Sequence, residues 1–116
     1  MGKVNVLYVD DEADLLDLAL SFFEDENIPL DTCSNLESAL SLLKKNDYRV
    51  IITDAKMPGG TGFDLIRIIR EDLQFKGKII LATGSLQRSE ANAGYDYVIQ
   101  KPINFADMIE KVKEFL

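Results

Sequence analysis

Five polar residues stand where short apolar runs of strand character end: Asp10, Asp11, Asp54, Thr83 and Lys101. Carboxylates that crowd together repel each other, and a hard divalent cation with oxygen ligands, such as Mg²⁺, relieves that repulsion. A hydroxyl donor and a fixed positive charge could then bind a group with extra negative oxygens. This combination suits phosphoryl transfer to a carboxylate, which needs mainly positioning and charge neutralisation.

The elements that must position these side chains alternate between strands and helices. Strands are predicted where short runs are apolar and rich in β-branched or aromatic residues, at 3–9, 30–33, 49–53, 78–82 and 97–99. The intervening segments have helical periodicity, which indicates βαβ units and a parallel sheet with helices on both faces. We therefore predict an α/β, flavodoxin-like (βα)5 three-layer sandwich with the strand order 2-1-3-4-5. In such a sheet, ligands bind at the carboxyl ends of strands 1 and 3.

The sequence predicts the buried face of the first helix and the starts of the second and last helices. The first helix should bury the face whose apolar residues recur at i, i+3, i+4 and i+7: Leu15, Leu18, Ala19 and Phe22. Ser34 and Glu37 have the spacing of a capping box, which predicts the start of the second helix. The last helix should start at Asn104, with Asp107 in its first turn.

Composition limits the possible functions. The 116 residues make one domain, 1–116, and 47% of them are hydrophobic, which is enough for a core. A net charge of −7 argues against direct binding to nucleic acid, and no apolar run is long enough for membrane insertion. The absence of histidine excludes Ser–His–Asp triads and histidine zinc sites. The single cysteine, Cys33, fits a reducing, cytoplasmic location.

The sequence resembles the receiver domain of two-component response regulators over essentially its whole length. Four segments carry the resemblance, in the family's order and near its spacing: LYVDDE at 7–12, DAKMPGGTG at 54–62, LATGS at 81–85 and QKP at 100–102. The resemblance implies that Asp54 is the phosphoacceptor. It also implies a Mg²⁺ site, which Mn²⁺ could occupy, with Asp11 as direct ligand, Asp10 acting through water and Lys56 contributing its backbone carbonyl.

The same resemblance assigns roles to the remaining site residues. Thr83 matches the hydroxyl that approaches the phosphoryl group, and Lys101 matches the lysine that pairs with it. The bond between Lys101 and Pro102 is expected to be cis. The implied function is regulatory rather than enzymatic: Asp54 takes a phosphoryl group from a sensor histidine kinase or histidine phosphotransfer protein, and the domain then changes its contacts with an output domain or downstream protein.

Two features depart from the family pattern. Receivers usually carry Tyr or Phe three residues before the conserved lysine, where this chain has Val98, and strand alternation should send Tyr97 to the opposite face. The stretch between Thr83 and Lys101 is about four residues shorter than the family usually has, about one helical turn. The fourth helix, at residues 84–94, is therefore expected to be shortened or irregular, which would remodel the face used for output and dimerisation.

Two other functions are compatible with the sequence. One is a receiver-like docking module that works without phosphorylation, which Val98 and the short segment favour slightly. The other is a phosphohydrolase with an aspartyl intermediate. Such enzymes place the nucleophile in a D-x-D motif, whereas this chain has Asp10, Asp11, Glu12 and Ala13. A phosphodonor assay with acetyl phosphate and Mg²⁺ would separate the receiver from the docking module.

Overall fold

The short apolar runs form strands in the structure, a computed structural model that describes residues 3–57, 60–84 and 94–116. Five of these strands make the main sheet, and two short ones form a hairpin directly after Asp54. In chain order they are β1 (Val6–Val9), β2 (Leu30–Cys33), β3 (Val50–Asp54), β4 (Lys56–Met57), β5 (Gly60–Thr61), β6 (Lys78–Thr83) and β7 (Tyr97–Gln100). The five predicted strands are thus confirmed, with small differences at their ends.

The main sheet is parallel, with the strand order β2-β1-β3-β6-β7. Counted among the five main strands, this is the order 2-1-3-4-5 predicted from the sequence. The register aligns Val9 with Thr53, Asp54 with Ala82, and Thr83 with Gln100. The carboxyl ends of β1, β3, β6 and β7 therefore lie at one edge of the sheet.

The described residues contain four helices, which cover both faces of the sheet: α1 (Ala13–Asp25), α2 (Leu36–Lys45), α3 (Gly62–Glu71) and α4 (Phe105–Phe115). Residues of α1 and α4 share one apolar core with β1 and β3, and residues of α2 and α3 share a second core on the other face. The helix expected at 84–94 falls mainly on residues 85–93, outside the described part of the chain. Its shortening and the remodelled face stay predictions.

Two of the helix predictions were wrong in detail. The buried residues of α1 are Leu16, Ala19 and Phe23, whereas Leu18 is 51% and Phe22 44% exposed. The α2 helix is capped by Asn35 rather than Ser34: the Asn35 side chain accepts a hydrogen bond from the backbone N–H of Ser38 at 2.8 Å. The start of the last helix was predicted correctly, with Asn104 as the N-cap that accepts from Asp107 N–H.

Candidate functional site

The site lies where four parallel strands end. Asp10 and Asp11 directly follow β1, Asp54 is the last residue of β3, Thr83 is the last residue of β6, and Lys101 directly follows β7. The fully buried β3 is anchored between β1 and β6, so its terminal carboxylate has a fixed position. The structure brings together the strand-end residues that the sequence singled out.

Three carboxylates form an acidic cluster at this edge. One oxygen each of Asp10, Asp11 and Asp54 lies within 4.8 Å of the others. Asp10 and Asp54 are buried, and Asp11 is exposed. Carboxylates this close repel one another unless a cation lies among them or a proton neutralises one of them. A positively charged group or ion would therefore stabilise the cluster.

Lys101 supplies part of that charge. Its Nζ lies 3.1 Å from Asp10 Oδ2, 3.2 Å from Asp54 Oδ2 and 3.5 Å from Glu12 Oε1. Burial by itself lowers the pKa of Lys101, but the hydrogen bonds and charges of Asp10 and Asp54 outweigh this effect and leave the pKa raised. The ammonium group thus stays charged and bridges the carboxylates of two different strands. The Lys101–Pro102 bond is cis, as expected.

The Asp10 carboxylate accepts hydrogen bonds from three donors. Its Oδ1 accepts the backbone N–H of Glu12 at 2.9 Å, and its Oδ2 accepts from Lys101 and from the Tyr8 hydroxyl, which lies 3.5 Å away. Burial raises the pKa of Asp10, as does the charge of Asp54, and the donors from Glu12 and Lys101 only partly offset this. Burial also raises the pKa of the Tyr8 phenol, helped by the charges of Asp10 and Asp54, so the phenol keeps its proton.

The remaining two predicted residues border Asp54. The backbone N–H of Lys56 lies 3.4 Å from Asp54 Oδ1, and the side chain of Lys56 is exposed. Thr83 is buried next to Ala82, the register partner of Asp54, and its carbonyl accepts the backbone N–H of Lys101 at 2.9 Å. Both residues are therefore placed at the site.

The start of α3 fixes the other end of the loop that follows Asp54. Thr61 caps this helix in a capping box with Asp64, whose carboxylate accepts the Thr61 N–H at 3.0 Å. These hydrogen bonds lower the pKa of Asp64. The next residue, Gly62, donates its N–H to the carbonyl of Ala55 at 3.0 Å. The helix start thus packs directly against the backbone of the residues that carry the central carboxylate.

Replacing Gly62 by Ala should disturb this packing. The added Cβ would clash with the carbonyl oxygen of Asp54 and lie 3.0 Å from its carbonyl carbon, and both are main-chain atoms that no rotamer change can move. We expect a loss of about 1–3 kcal/mol in the free energy of unfolding, measured by urea denaturation. Gly84→Ala is the matched control, since no described atom lies within 4 Å of its Cβ position. Equal stability of the two variants would contradict this close contact.

The residues present fit a small divalent cation. Mg²⁺ binds through one or two carboxylates, waters and phosphate oxygens at about 2.1 Å, so opposite ligand oxygens are separated by about 4 Å. The three carboxylate oxygens need only small side-chain movements to reach that spacing. Among the described residues, Asp11 makes no hydrogen bond or ion pair, which leaves its oxygens available.

Comparison with known proteins agrees with this site. The family described as "Response regulator receiver domain" matches residues 6–113, nearly the whole chain. This chain belongs to the response regulator receiver domain family. It is therefore a receiver domain of the two-component response regulators, a family with a regulatory role.

The receiver is similar to both full-length regulators and solved receiver structures. It is 32% identical to the transcriptional regulatory protein ResD of Bacillus subtilis over 99% of this chain and 49% of ResD, so it spans about half the length of that protein. The response regulator TrrA of Thermotoga maritima, crystallised with Mg(2+)-BeF, is 32% identical with a TM-score of 0.84 over 96% of this chain and 97% of TrrA. The chemotaxis protein CheY4 of Vibrio cholerae shares the fold, with a TM-score of 0.88 and 24% identity over 99% of this chain and 100% of CheY4.

Two contacts at the receiver site were not anticipated from the sequence. The Glu12 carboxylate lies close to the Lys101 ammonium, and the Tyr8 hydroxyl contacts the Asp10 carboxylate. The alternation of the strand was a usable signal for Tyr8, since residues 8 and 10 point to the same side. The prediction that Tyr97 and Val98 face opposite ways is confirmed: Val98 packs on the α2 and α3 side, and Tyr97 lies against Lys111 of α4. None of the helices in the described ranges has the length and apolar character needed to cross a membrane.

Proposed function

We propose that this receiver domain, over residues 1–116, accepts a phosphoryl group on Asp54 in a Mg²⁺-dependent reaction and then changes its contacts with other proteins. One observation carries the proposal: three carboxylates lie within 4.8 Å of one another, and the ammonium group of Lys101 lies 3.2 Å from the central one. A buried, crowded carboxylate at a strand end is suited to be a nucleophile when cations neutralise the incoming negative oxygens.

The hydrogen bonds of Asp10 and Asp11 indicate that these two residues would contribute to metal binding in different ways. Both oxygens of Asp10 already accept protein donors, so Asp10 would act through a metal-bound water. Asp11 is exposed and would be the direct ligand, together with Asp54 and the backbone carbonyl of Lys56. Mg²⁺, or Mn²⁺ in its place, would neutralise charge on the carboxylates and on the phosphoryl oxygens when bound.

The chemical step uses the Asp54 carboxylate as nucleophile. An oxygen of Asp54 forms the new O–P bond while the P–N bond of a phosphohistidine breaks. The imidazole nitrogen keeps the electron pair and takes up a proton. Lys101 would transfer its ion pair from Asp54 to a phosphoryl oxygen, and the Thr83 hydroxyl would donate to another. These contacts stabilise the charge of the acyl phosphate.

A phosphohistidine donor must lie outside these 116 residues, because they contain no histidine. A sensor histidine kinase or a histidine phosphotransfer protein meets that requirement. The receiver would catalyse only its own phosphoryl uptake and a slow loss of the group, without turnover of an external substrate. The half-length match to ResD is compatible with an output domain or a separate downstream protein. A cytoplasmic location, expected from the sequence, is part of this proposal.

Treatment with a small phosphodonor tests the proposal. We expect acetyl phosphate to add one phosphoryl group per chain in the presence of Mg²⁺, observed by intact mass spectrometry, and EDTA to prevent this addition. Hydroxylamine should remove the group, because it cleaves acyl phosphates and spares phosphate esters. A chain that stays unmodified under these conditions would instead favour the phosphorylation-independent docking module, for which Val98, without an aromatic ring, is the supporting feature.

Removing the side chain of Lys56 should shorten the life of the acyl phosphate. The exposed ammonium group of Lys56 can pair with a phosphoryl oxygen, and an exposed ion pair contributes up to about 1 kcal/mol. We therefore expect Lys56→Ala to speed autodephosphorylation by up to about fivefold while Mg²⁺ affinity stays unchanged, because the backbone carbonyl remains. Lys76→Ala, another exposed lysine but two residues before the start of β6, is the control. Equal half-lives of wild type and Lys56→Ala would count against this role.

A further inference from the structure

We propose that Tyr8 is a positioning residue for the metal site, acting through Asp10. This inference rests on the proposed function, because it concerns how the same acidic cluster is prepared for Mg²⁺. Tyr8 lies in the middle of β1 with 0% exposure, two residues before Asp10 and therefore on the same side of the strand. A tyrosine buried in an apolar core usually brings its hydroxyl to a hydrogen-bond partner.

The only partner of that hydroxyl among the described residues is the Asp10 carboxylate, 3.5 Å away. This distance is long for an O–H···O hydrogen bond, which is usually about 2.7 Å. A small shift of the Asp10 carboxylate toward the phenol would shorten it. The hydroxyl belongs to a fully buried core side chain, so it contacts Asp10 from the interior of the domain.

Three donors from three directions fix the Asp10 carboxylate: the Tyr8 hydroxyl, the Glu12 N–H and the Lys101 ammonium. Two of them are tied to other parts of the site, since Lys101 also binds Asp54 and the Glu12 N–H belongs to the start of α1. Tyr8 is the donor that belongs to the core beneath the site. When Lys101 moves to a phosphoryl oxygen, Tyr8 and Glu12 N–H would keep Asp10 in place for its metal-bound water.

Tyr8→Phe removes this donor and keeps the ring that fills the core. Outer-sphere partners of direct metal ligands commonly change affinity by about 10- to 100-fold. Because Asp10 would act through water and the contact of Tyr8 is long, we expect an effect below that range. We expect Mg²⁺ to bind Tyr8→Phe about three- to tenfold more weakly, measured by titrating the folded protein with MgCl₂ and following backbone amide NMR shifts.

The chain offers a matched control. Tyr48 is also buried and also donates to an aspartate, Asp31 Oδ2 at 2.6 Å, but this pair lies near the outer strand β2 and away from the acidic cluster. Tyr48→Phe should lose a shorter hydrogen bond to an aspartate and still leave Mg²⁺ affinity unchanged. Equal affinities of Tyr8→Phe and wild type, or equal losses in both Tyr→Phe variants, would overturn the inference.

A double-variant cycle supplies a second test. If Tyr8 acts through Asp10, Tyr8→Phe should have no further effect on Mg²⁺ affinity in an Asp10→Asn background. An additional threefold loss in the double variant would contradict that route. Phosphoryl uptake by the wild type distinguishes failure of the proposed function from failure of the Tyr8 inference. A wild type without uptake refutes the proposed function. Uptake by the wild type together with an unchanged Mg²⁺ affinity in Tyr8→Phe refutes only the role of Tyr8.

Discussion

Replacing Asp54 by Asn is expected to abolish phosphoryl uptake from acetyl phosphate. The amide has nearly the same shape as the carboxylate but no negative charge, so it cannot attack phosphorus. The fold should persist, because the side chain stands at the end of a strand paired on both sides and the change relieves repulsion within the acidic cluster. Intact mass spectra with and without Mg²⁺ measure the effect, and thermal unfolding confirms that the variant is folded.

Asp17→Asn is the matched control for this result. Asp17 is exposed on α1 and makes no ion pair with the residues that the structure describes, and its substitution changes the net charge by the same amount. The control should take up one phosphoryl group like the wild type. If Asp54→Asn still acquired a hydroxylamine-sensitive phosphoryl group, another carboxylate would be the acceptor and the central assignment would be wrong.

Replacing Asp11 by Asn is expected to remove the stabilisation that Mg²⁺ gives to the wild type. A ligand that binds only the folded state stabilises it by RT ln(1 + [L]/Kd), which is about 1.4 kcal/mol when Mg²⁺ is present at ten times its Kd. Asp11 is the exposed member of the cluster, and its oxygens make no hydrogen bond or ion pair within the described ranges. The Asp11→Asn variant should therefore lose most of the stabilisation by Mg²⁺. Without Mg²⁺, the variant should be as stable as the wild type or slightly more stable, because one repelling charge is gone.

Urea denaturation with MgCl₂, compared with NaCl at the same ionic strength, measures this effect. The NaCl samples separate specific binding from general screening of the net charge of −7. Asp17→Asn should respond to Mg²⁺ like the wild type. An Asp11→Asn variant that gained the full wild-type stabilisation would exclude Asp11 as a metal ligand.

Most of the architecture could be predicted because the signals were redundant. The run from Val50 to Thr53 is apolar on both faces, which is typical of a central parallel strand, and the β3 found there confirms it. Polar residues at the strand ends then indicated the site, since the rule for ligand binding in parallel sheets depends only on strand order. The location of the acidic cluster followed without any knowledge of side-chain contacts.

The buried face of α1 could not be predicted because its sequence satisfies two helical registers. Leu15, Leu18, Ala19 and Phe22 have the spacing of a buried stripe, but so do Leu16, Ala19 and Phe23 one position along. Periodicity cannot choose between adjacent registers when apolar residues stand side by side. Packing against α4 and the sheet decides between them, and the ring of Phe22 stacks on Phe105 at 5.0 Å on the outer side.

The N-cap of α2 and two side-chain contacts within the site could not be predicted either, because the sequence allows more than one arrangement. Ser34 and Asn35 are both good N-cap residues, and only the observed helix start at Leu36 selects Asn35. The contacts of Lys101 with Glu12 and of Tyr8 with Asp10 depend on how far long side chains reach, which spacing along the sequence does not specify.

Chemical mapping of the acyl phosphate would identify the residue that accepts the phosphoryl group. Borohydride reduces an aspartyl phosphate to homoserine, so the modified residue can be located by peptide mass spectrometry after treatment with acetyl phosphate and Mg²⁺. We expect homoserine at position 54 and at no other aspartate. Homoserine at position 10 or 11, or none in a chain that has taken up phosphate, would contradict it.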